Sequence, residues 1–206
     1  MRIKASWKRF AIIIAIGTTL PYLMANFFPV TTSSSAQQPN QSSSSDSTAH
    51  LPSETWMSPD DRYGAVFPGE VEKLSGEGRD GEVTAYVSGE ESDQGVIVYQ
   101  ITRYALSPQL EELGPRRALE AILKEKSRLV SPTELLEMEW QSFGTNNKRL
   151  SYRQAYDYQG SIVRERGFFL THQGEVVEVK TQSTRPDSLQ ASQAIEYFLD
   201  SFVIVH

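Results

Sequence analysis

The chain has 206 residues, and its 26 acidic and 20 basic side chains give a formal net charge of -6. With 39% hydrophobic and 22% charged residues, the composition excludes a collagen-like chain, a wholly disordered chain and a polytopic membrane protein. The absence of cysteine excludes disulfides, thiolate metal sites and cysteine nucleophiles, and the acidic balance argues against nucleic acid as a partner.

The first predicted element is an uncharged apolar segment, residues 10–30, which follows four basic residues within the first nine positions. This pattern is typical of a secretory signal or an N-terminal membrane anchor. A cleavable signal would use residues 10–20 and be cut after Ala36, whereas an anchor would use the whole segment to cross the bilayer. Under both interpretations the membrane is a partner through residues 10–30, and the globular part lies on the periplasmic or lumenal side.

A polar linker is predicted next, at residues 31–55, where Ser, Thr and Gln dominate. Such a segment buries too little apolar surface to offset the entropy of ordering it, so we expect it to be disordered. The remaining residues, 56–206, are enough for a single domain with one well-buried core.

The globular part begins with strand patterns and then becomes helical. Three runs are predicted as strands, at residues 62–67, 82–88 and 95–104. Ser107-Pro108 predicts a short helix that ends at Gly114, and Pro115 opens a longer one. The apolar stripe of this longer helix consists of Ala118, Leu119, Ile122 and Leu123.

Strands return in the second half of the domain. Alternation around Met138 and Trp140 predicts one strand, and three more are predicted at residues 148–158, 161–171 and 175–182, joined by hairpins. A helix capped by Asp187 or Ser188 and a strand at residues 201–205 end the chain, with Phe198 and Phe202 expected in the core. The predicted class is α+β with a mainly antiparallel sheet.

Loop lengths in the hairpins predict a basic patch. A two-residue loop at Gln159-Gly160 would pair Arg153 with Arg166, and a three-residue loop from His172 to Gly174 would pair Arg166 with Lys180. Because like charges directly opposite each other are destabilising, either Glu178 or an acidic helix residue neutralises the patch, or an anionic partner or lipid docks on it. The candidate partner-binding residues are Arg153, Arg164, Arg166 and Lys180.

Four short motifs carry a family resemblance. They are, in order, Ser58-Pro59-Asp60-Asp61-Arg62-Tyr63, Phe67-Pro68-Gly69, Tyr158-Gln159-Gly160 and Phe198-Leu199-Asp200-Ser201-Phe202. Together they resemble a PsbP-like domain over nearly all of residues 56–206. The resemblance implies an α/β/α sandwich and a superfamily of accessory, assembly and binding proteins without a common active site. Photosystem extrinsic subunits carry a Tyr-Pro-Gly-Trp type of signature where this chain has Phe67-Pro68-Gly69-Glu70. This difference favours a more general extracytoplasmic relative.

Other motifs give little support to catalysis or metal binding. Residues 76–81 have the spacing of a dinucleotide-binding loop, but a strand is predicted after them and Glu77 and Asp80 would repel phosphate, so we expect a hairpin connection. The acidic residues of the first two connections form either a solvated rim or a weak cation site. His172 lies in a predicted turn, and no nucleophile elbow accompanies it.

The sequence therefore predicts a non-catalytic, membrane-tethered, extracytoplasmic accessory domain that binds a protein partner in assembling or maintaining a membrane complex. No cofactor, metal site or catalytic residue is expected. Two alternatives stay open: a module that binds a cation or small ligand through the acidic loops, and an unrecognised enzyme built from carboxylates.

Overall fold

The computed structural model describes residues 55–78, 81–130, 137–144, 147–158 and 160–205. The strands in these ranges are β1 (Trp56–Met57), β2 (Tyr63–Ala65), β3 (Glu72–Gly78), β4 (Gly81–Ser92), β5 (Gly95–Ala105), β6 (Glu137–Phe143), β7 (Asn147–Tyr158), β8 (Ser161–His172), β9 (Glu175–Ser183) and β10 (Val203–Ile204). The helices in the same ranges are α1 (Pro108–Glu112), α2 (Gly114–Val130) and α3 (Leu189–Ser201).

One large sheet dominates the fold. Its seven strands have the order β3-β4-β5-β9-β8-β7-β6, and β1, β2 and β10 form a smaller sheet. Every strand pair among the described residues is antiparallel. The structure is thus α+β with a mainly antiparallel sheet, as the sequence predicts.

The two longer helices cover opposite faces of the large sheet. In β8, Phe168 belongs to a core cluster with Phe198 of α3, whereas its neighbour Phe169 belongs to a cluster with Leu119 of α2. Successive side chains on a strand point to opposite faces, so each helix packs on its own side. We call these sides the α2 face and the α3 face.

Local sequence signals explain where the helices begin and which side they bury. The side chains of Ser107 and Ser188 accept hydrogen bonds from backbone N–H groups in the first turns of α1 and α3, and each such cap is worth ~1 kcal/mol. The apolar stripe predicted for α2 is buried. Phe198 and Phe202 are 1% and 2% exposed, which confirms both core predictions.

The cross-strand register is confirmed in one hairpin and wrong in the other. Arg153 pairs with Arg166 across β7 and β8, as predicted. Across β8 and β9, however, Arg166 pairs with Thr181, because His172 still pairs with Glu175 and the turn contains only two residues. Both turn residues, Gln173 and Gly174, have positive φ (51° and 79°), the conformation that a two-residue type I′ turn requires.

This one-residue shift moves the side chains of β9 to the other face of the sheet. Lys180 therefore lies on the α2 face, away from the three arginines of the predicted patch. Val177 and Val179, which the predicted register assigned to the face opposite the arginines, belong to the core cluster of the α3 face. His172 is the last residue of β8 and packs its ring edge-to-face on Tyr63, instead of lying in the turn.

Two further differences from the sequence prediction concern β3 and the C-terminal strand. β3 was not predicted, and it contains Gly76 and Gly78 of the glycine-rich segment, while Gly81 begins β4. That segment forms a hairpin between two strands, as predicted, and no helix follows it. At the C-terminus, Ser201 belongs to α3, and the last strand is limited to Val203–Ile204.

The predicted signal or anchor at residues 10–30 and nearly all of the predicted linker at residues 31–55 lie outside the described residues. Among the residues that are described, none of the helices has the length and apolar character needed to cross a bilayer.

Candidate functional site

A groove lined by arginines runs along one side of α3. It consists of two adjoining cavities of about 320 and 370 Å³ on the α3 face of β6, β7 and β8, which share Glu137, Arg153 and Arg166. We call it the arginine groove and define it by five residues: Arg149, Arg153, Arg164, Arg166 and Arg185. Three of the four residues of the predicted patch lie in it.

Strand alternation brings these cations together. Arg149 and Arg153 are four residues apart on β7, and Arg164 and Arg166 are two residues apart on β8, so all four point to the α3 face. Arg153 lies directly opposite Arg166. Two like charges in this position destabilise the sheet unless anions lie nearby.

Acidic side chains on α3 and just before it supply these anions. Glu196 pairs with Arg166 at 2.6 Å, Asp187 with Arg164 at 3.4 Å and Asp200 with Arg149 at 3.8 Å. In part, the groove therefore matches the interpretation in which acidic helix residues neutralise the patch. Glu178, the other neutralising residue considered, lies on the α2 face.

The cations and their counterions differ in how firmly the protein holds them. The three arginine side chains are 20–37% exposed, whereas their acidic partners are 50–82% exposed. Arg149 is further fixed by a hydrogen bond from its Nε to Gln141 Oε1 (3.1 Å) and by the ring of Phe168, 4.7 Å below its guanidinium. These three arginines thus form the floor of the groove, Arg153 beside them is exposed, and the carboxylates lie on the solvent-exposed rim.

The fourth residue of the predicted patch, Lys180, belongs to a buried ionic cluster on the α2 face. Its side chain is 0% exposed and lies 3.7 Å from Glu178. Lys126 of α2 pairs with Glu178 and, at 2.7 Å, with Glu165. Gly167, opposite Lys180 on β8, leaves room for the lysine, because a Cβ at this position would lie 2.7 Å from the Lys180 Cβ.

Burial and pairing shift the pKa values in this cluster in predictable directions. Burial acts to raise the pKa of Glu165, but Lys126 and Lys180 outweigh it and lower the pKa to about 2. For Lys180, burial lowers the pKa to about 8, even though Glu178 and Glu165 favour the charged form. The cluster therefore holds the Glu165 carboxylate ionised inside the domain at neutral pH.

The spacing of α2 contains a signal for this cluster. Lys126 and Ser127 continue the apolar stripe, four residues after Ile122 and Leu123, and both are buried. Ser127 Oγ donates to Gln154 Oε1 at 3.2 Å. A lysine in the apolar stripe of a helix indicates that carboxylates lie opposite it on the sheet, because lysine is rarely buried unless it is paired.

A second polar cluster ties the start of the domain to the large sheet. Ser58 Oγ accepts hydrogen bonds from the backbone N–H groups of Arg62 (3.1 Å) and Tyr63 (3.0 Å), and it donates to Asp60. Asp60 pairs with Arg62 (3.0 Å) and with Arg103 of β5. Burial raises the pKa of Asp60, but hydrogen bonds from Ser58, Arg103 and Arg62 hold it well below its usual range.

Arg62 completes this cluster by pairing with Glu175 at the start of β9 (2.7 Å). We call it the N-terminal clamp, and its residues are Ser58, Asp60, Arg62, Arg103 and Glu175. The first three belong to the motif that carries the family resemblance, and the structure gives that motif a physical role in joining the N-terminal loop to β5 and β9.

Among the described residues, no three His, Asp or Glu side chains are grouped so that they could hold a metal ion. Glu90, an acidic residue near the end of β4, pairs with Arg185 of the arginine groove at 3.4 Å.

Comparisons with solved structures include two distantly similar chains. No family model matches the chain, and no curated protein matches it. The solution structure of cyanobacterial PsbP from Synechocystis sp. PCC 6803 is similar with a TM-score of 0.49 and 11% identity, covering 79% of this chain and 98% of that one. A crystal structure from Bacteroides thetaiotaomicron VPI-5482 has a TM-score of 0.42 and 10% identity, covering 74% of this chain and 48% of that one. Neither likeness is close enough to assign a family or an activity.

Proposed function

We propose that this chain is a non-catalytic, PsbP-like accessory protein that docks on a protein partner through the arginine groove. Residues 10–30 hold it at a membrane or direct its export, with the domain outside the cytoplasm. Acidic side chains of the partner enter the groove, and the bound complex serves the assembly or maintenance of a membrane complex. The observation that carries the proposal is the contrast between the fixed arginines and their exposed counterions.

Exchange of counterions makes such docking energetically accessible. Each exposed ion pair on the groove rim contributes only ~0.2–1 kcal/mol, so Glu196, Asp187 and Asp200 are displaced at little cost. A hydrogen bond to a charged group in a desolvated interface contributes ~1.5–3 kcal/mol. Partner carboxylates that close over the groove would therefore bind the same arginines more strongly than the rim does.

The tether supports the same proposal from the sequence side. An apolar segment of 21 residues after a basic start matches the length of a membrane span, and the polar residues 31–55 provide reach. A tethered domain meets a membrane partner at a raised effective concentration, so a groove of modest intrinsic affinity suffices.

Charge reversal in the groove tests the proposal. The full-length chain with Arg153→Glu and Arg166→Glu is compared with the wild type in capturing its partner from membranes solubilised in mild detergent, at low and high salt. The matched control, Arg117→Glu with Lys124→Glu, makes the same change of net charge on exposed positions of α2. The groove variant should lose most of the low-salt capture, because it lacks two of the arginines that bind the partner's carboxylates, while the control keeps it. High salt should weaken the electrostatic steering part of the wild-type interaction, because salt screens long-range charge.

Unaltered capture by the groove variant, with an unchanged melting temperature, would contradict the proposal. Equal losses in the groove variant and in the control would do the same, since they would show that only net charge matters.

A further inference from the structure

β6 forms one edge of the large sheet, next to the arginine groove. It is last in the strand order, and no other strand in the described ranges pairs with its outer side. Its seven residues, Glu137–Phe143, pair with β7 along their whole length on the inner side. An edge of this kind presents unpaired N–H and C=O groups, and a further strand can bind to them.

The two rows of side chains on β6 have different chemistry. On the α3 face, Glu137 lies beside Arg153 and Glu139 beside Ser151, and both glutamates are exposed. On the α2 face, Met138 and Trp140 form an apolar row, in which Met138 is 60% exposed.

Trp140 is oriented by its neighbours on α2. Its Nε1 donates to Glu120 at 3.0 Å, and the guanidinium of Arg116 lies 5.6 Å from its ring centre. The indole is therefore held in place at the sheet edge, where its outer side can contact an apolar side chain of an added strand.

We propose that β6 binds an extended segment of a protein partner as an eighth strand, and that this segment alternates basic and apolar residues. In strand addition, backbone hydrogen bonds supply affinity and alternate side chains supply specificity. Basic side chains opposite Glu137 and Glu139 extend the charge alternation that Arg153 begins, while apolar side chains on the other face cover Met138 and Trp140.

Two other uses of an edge strand fit the structure less well. Pairing of β6 with β6 of a second copy would bring the Glu137 and Glu139 rows of both copies onto one face, where like charges repel. The opposite edge, β3, contains Gly76 and Gly78, which weaken a strand and offer no side chain to pack.

The proposal does not depend on a partner docking on the arginines of the groove. Its specificity comes from β6 residues, although Glu137 also lines that groove. It is tested with the full-length chain in mild detergent and three fluorescently labelled seven-residue peptides: one alternates Lys and Val, one has the same residues in two blocks, and one alternates Glu and Val. Peptide affinity is measured by fluorescence anisotropy, and amide hydrogen exchange reports on β6.

The alternating Lys-Val peptide should bind best and protect the amides of β6. Glu137→Gln with Glu139→Gln should weaken its binding by about tenfold, as expected for two lost cross-strand charge pairs. The matched control is Glu72→Gln with Glu77→Gln on β3, which makes the same charge change at the other edge and should leave affinity unchanged.

Several outcomes would overturn the proposal. They are absence of binding by the alternating peptide, equal affinity for the blocked peptide, equal weakening by the control variant, protection of amides outside β6, and self-association of the chain through β6. Because none of these measurements alters an arginine of the groove, they decide on β6 whether or not the groove docks a partner.

Discussion

Replacing Lys126 with methionine should lower the free energy of unfolding by about 3–5 kcal/mol, the usual cost of removing one partner from a buried ion pair. Lys126 is 5% exposed and pairs with both Glu165 and Glu178. Methionine preserves most of the lysine volume, so the loss reports on charge and not on a cavity. Out of a total stability of ~5–15 kcal/mol for a domain, this is a large fraction.

The loss should depend on pH. In the variant, Lys180 is the cation that remains beside Glu165 and Glu178 in the cluster, and the domain avoids part of the cost by protonating Glu165. The wild type instead loses its favourable pairing as the pH falls, since the pKa of Glu165 is lowered to about 2 in the folded state. The difference in stability between the two proteins should therefore narrow as the pH falls below the ordinary glutamate pKa.

Thermal unfolding of the full-length chain in mild detergent, followed by circular dichroism, measures this effect. With about 2–4 °C per kcal/mol for a domain of this size, the melting temperature should fall by roughly 6–20 °C. Lys124→Met, on the exposed side of the same helix, is the matched control and should melt within ~2 °C of the wild type. A Lys126→Met protein whose free energy of unfolding at neutral pH lies within about 1 kcal/mol of the wild type, well below the expected loss of about 3–5 kcal/mol, would refute the reasoning.

Four other predictions follow from the core, the buried ionic cluster and the N-terminal segment. Phe198→Ala should cost ~3–5 kcal/mol, because Phe198 is 1% exposed and its ring lies 5.0 Å from Phe67 and 5.3 Å from Tyr99; an unchanged melting temperature would show that α3 is peripheral. Wild-type stability should fall as the pH drops from 4.5 to about 2, the window between the ordinary and folded pKa values of Glu165, and Glu165→Gln should flatten that part of the profile. The pKa of Lys180 is about 8 in the folded state, below its ordinary value of 10.5, so between these pH values the unfolded chain binds more protons than the folded one. Stability should therefore rise with pH in this range. Lys180→Met should remove this rise in a pH titration of unfolding. Protease added to intact spheroplasts that express the full chain should digest residues 56–206, and complete protection of both this part and the N-terminus would contradict an extracytoplasmic domain.

The sequence predicts features that depend on local rules and misses those that depend on distant pairing. The β7–β8 register was predictable because Gly160 takes a positive φ (80°) with ease. The β8–β9 register was not, because Gln173 takes a positive φ that non-glycine side chains rarely adopt, and this single residue decides the face on which Lys180 lies. β3 was missed because its glycines and charged residues match no strand pattern.

In the candidate site, too, the residues placed by local rules were predictable and those placed by distant contacts were not. Arg153, Arg164 and Arg166 were brought together correctly by alternation within one hairpin. Arg149 lies on the same face of β7 by the same alternation, whereas Arg185, beyond the end of β9, joins them only through tertiary packing. The stripe position of Lys126 on α2 indicates a buried ionic partner, but no local pattern identifies the two carboxylates or the lysine of β9 that complete the cluster.

The N-terminal clamp determines how the domain would respond to a force applied from its N-terminal side. A pull on the chain ahead of Thr55 loads the short β1–β2 pairing first and then the ion pairs of Asp60 and Arg62 with β5 and β9. Trp56, packed against Phe67 and Tyr86, shares this load with the core. The force thus enters the large sheet at the ends of two central strands, β5 and β9, and not at its outer edges, β3 and β6.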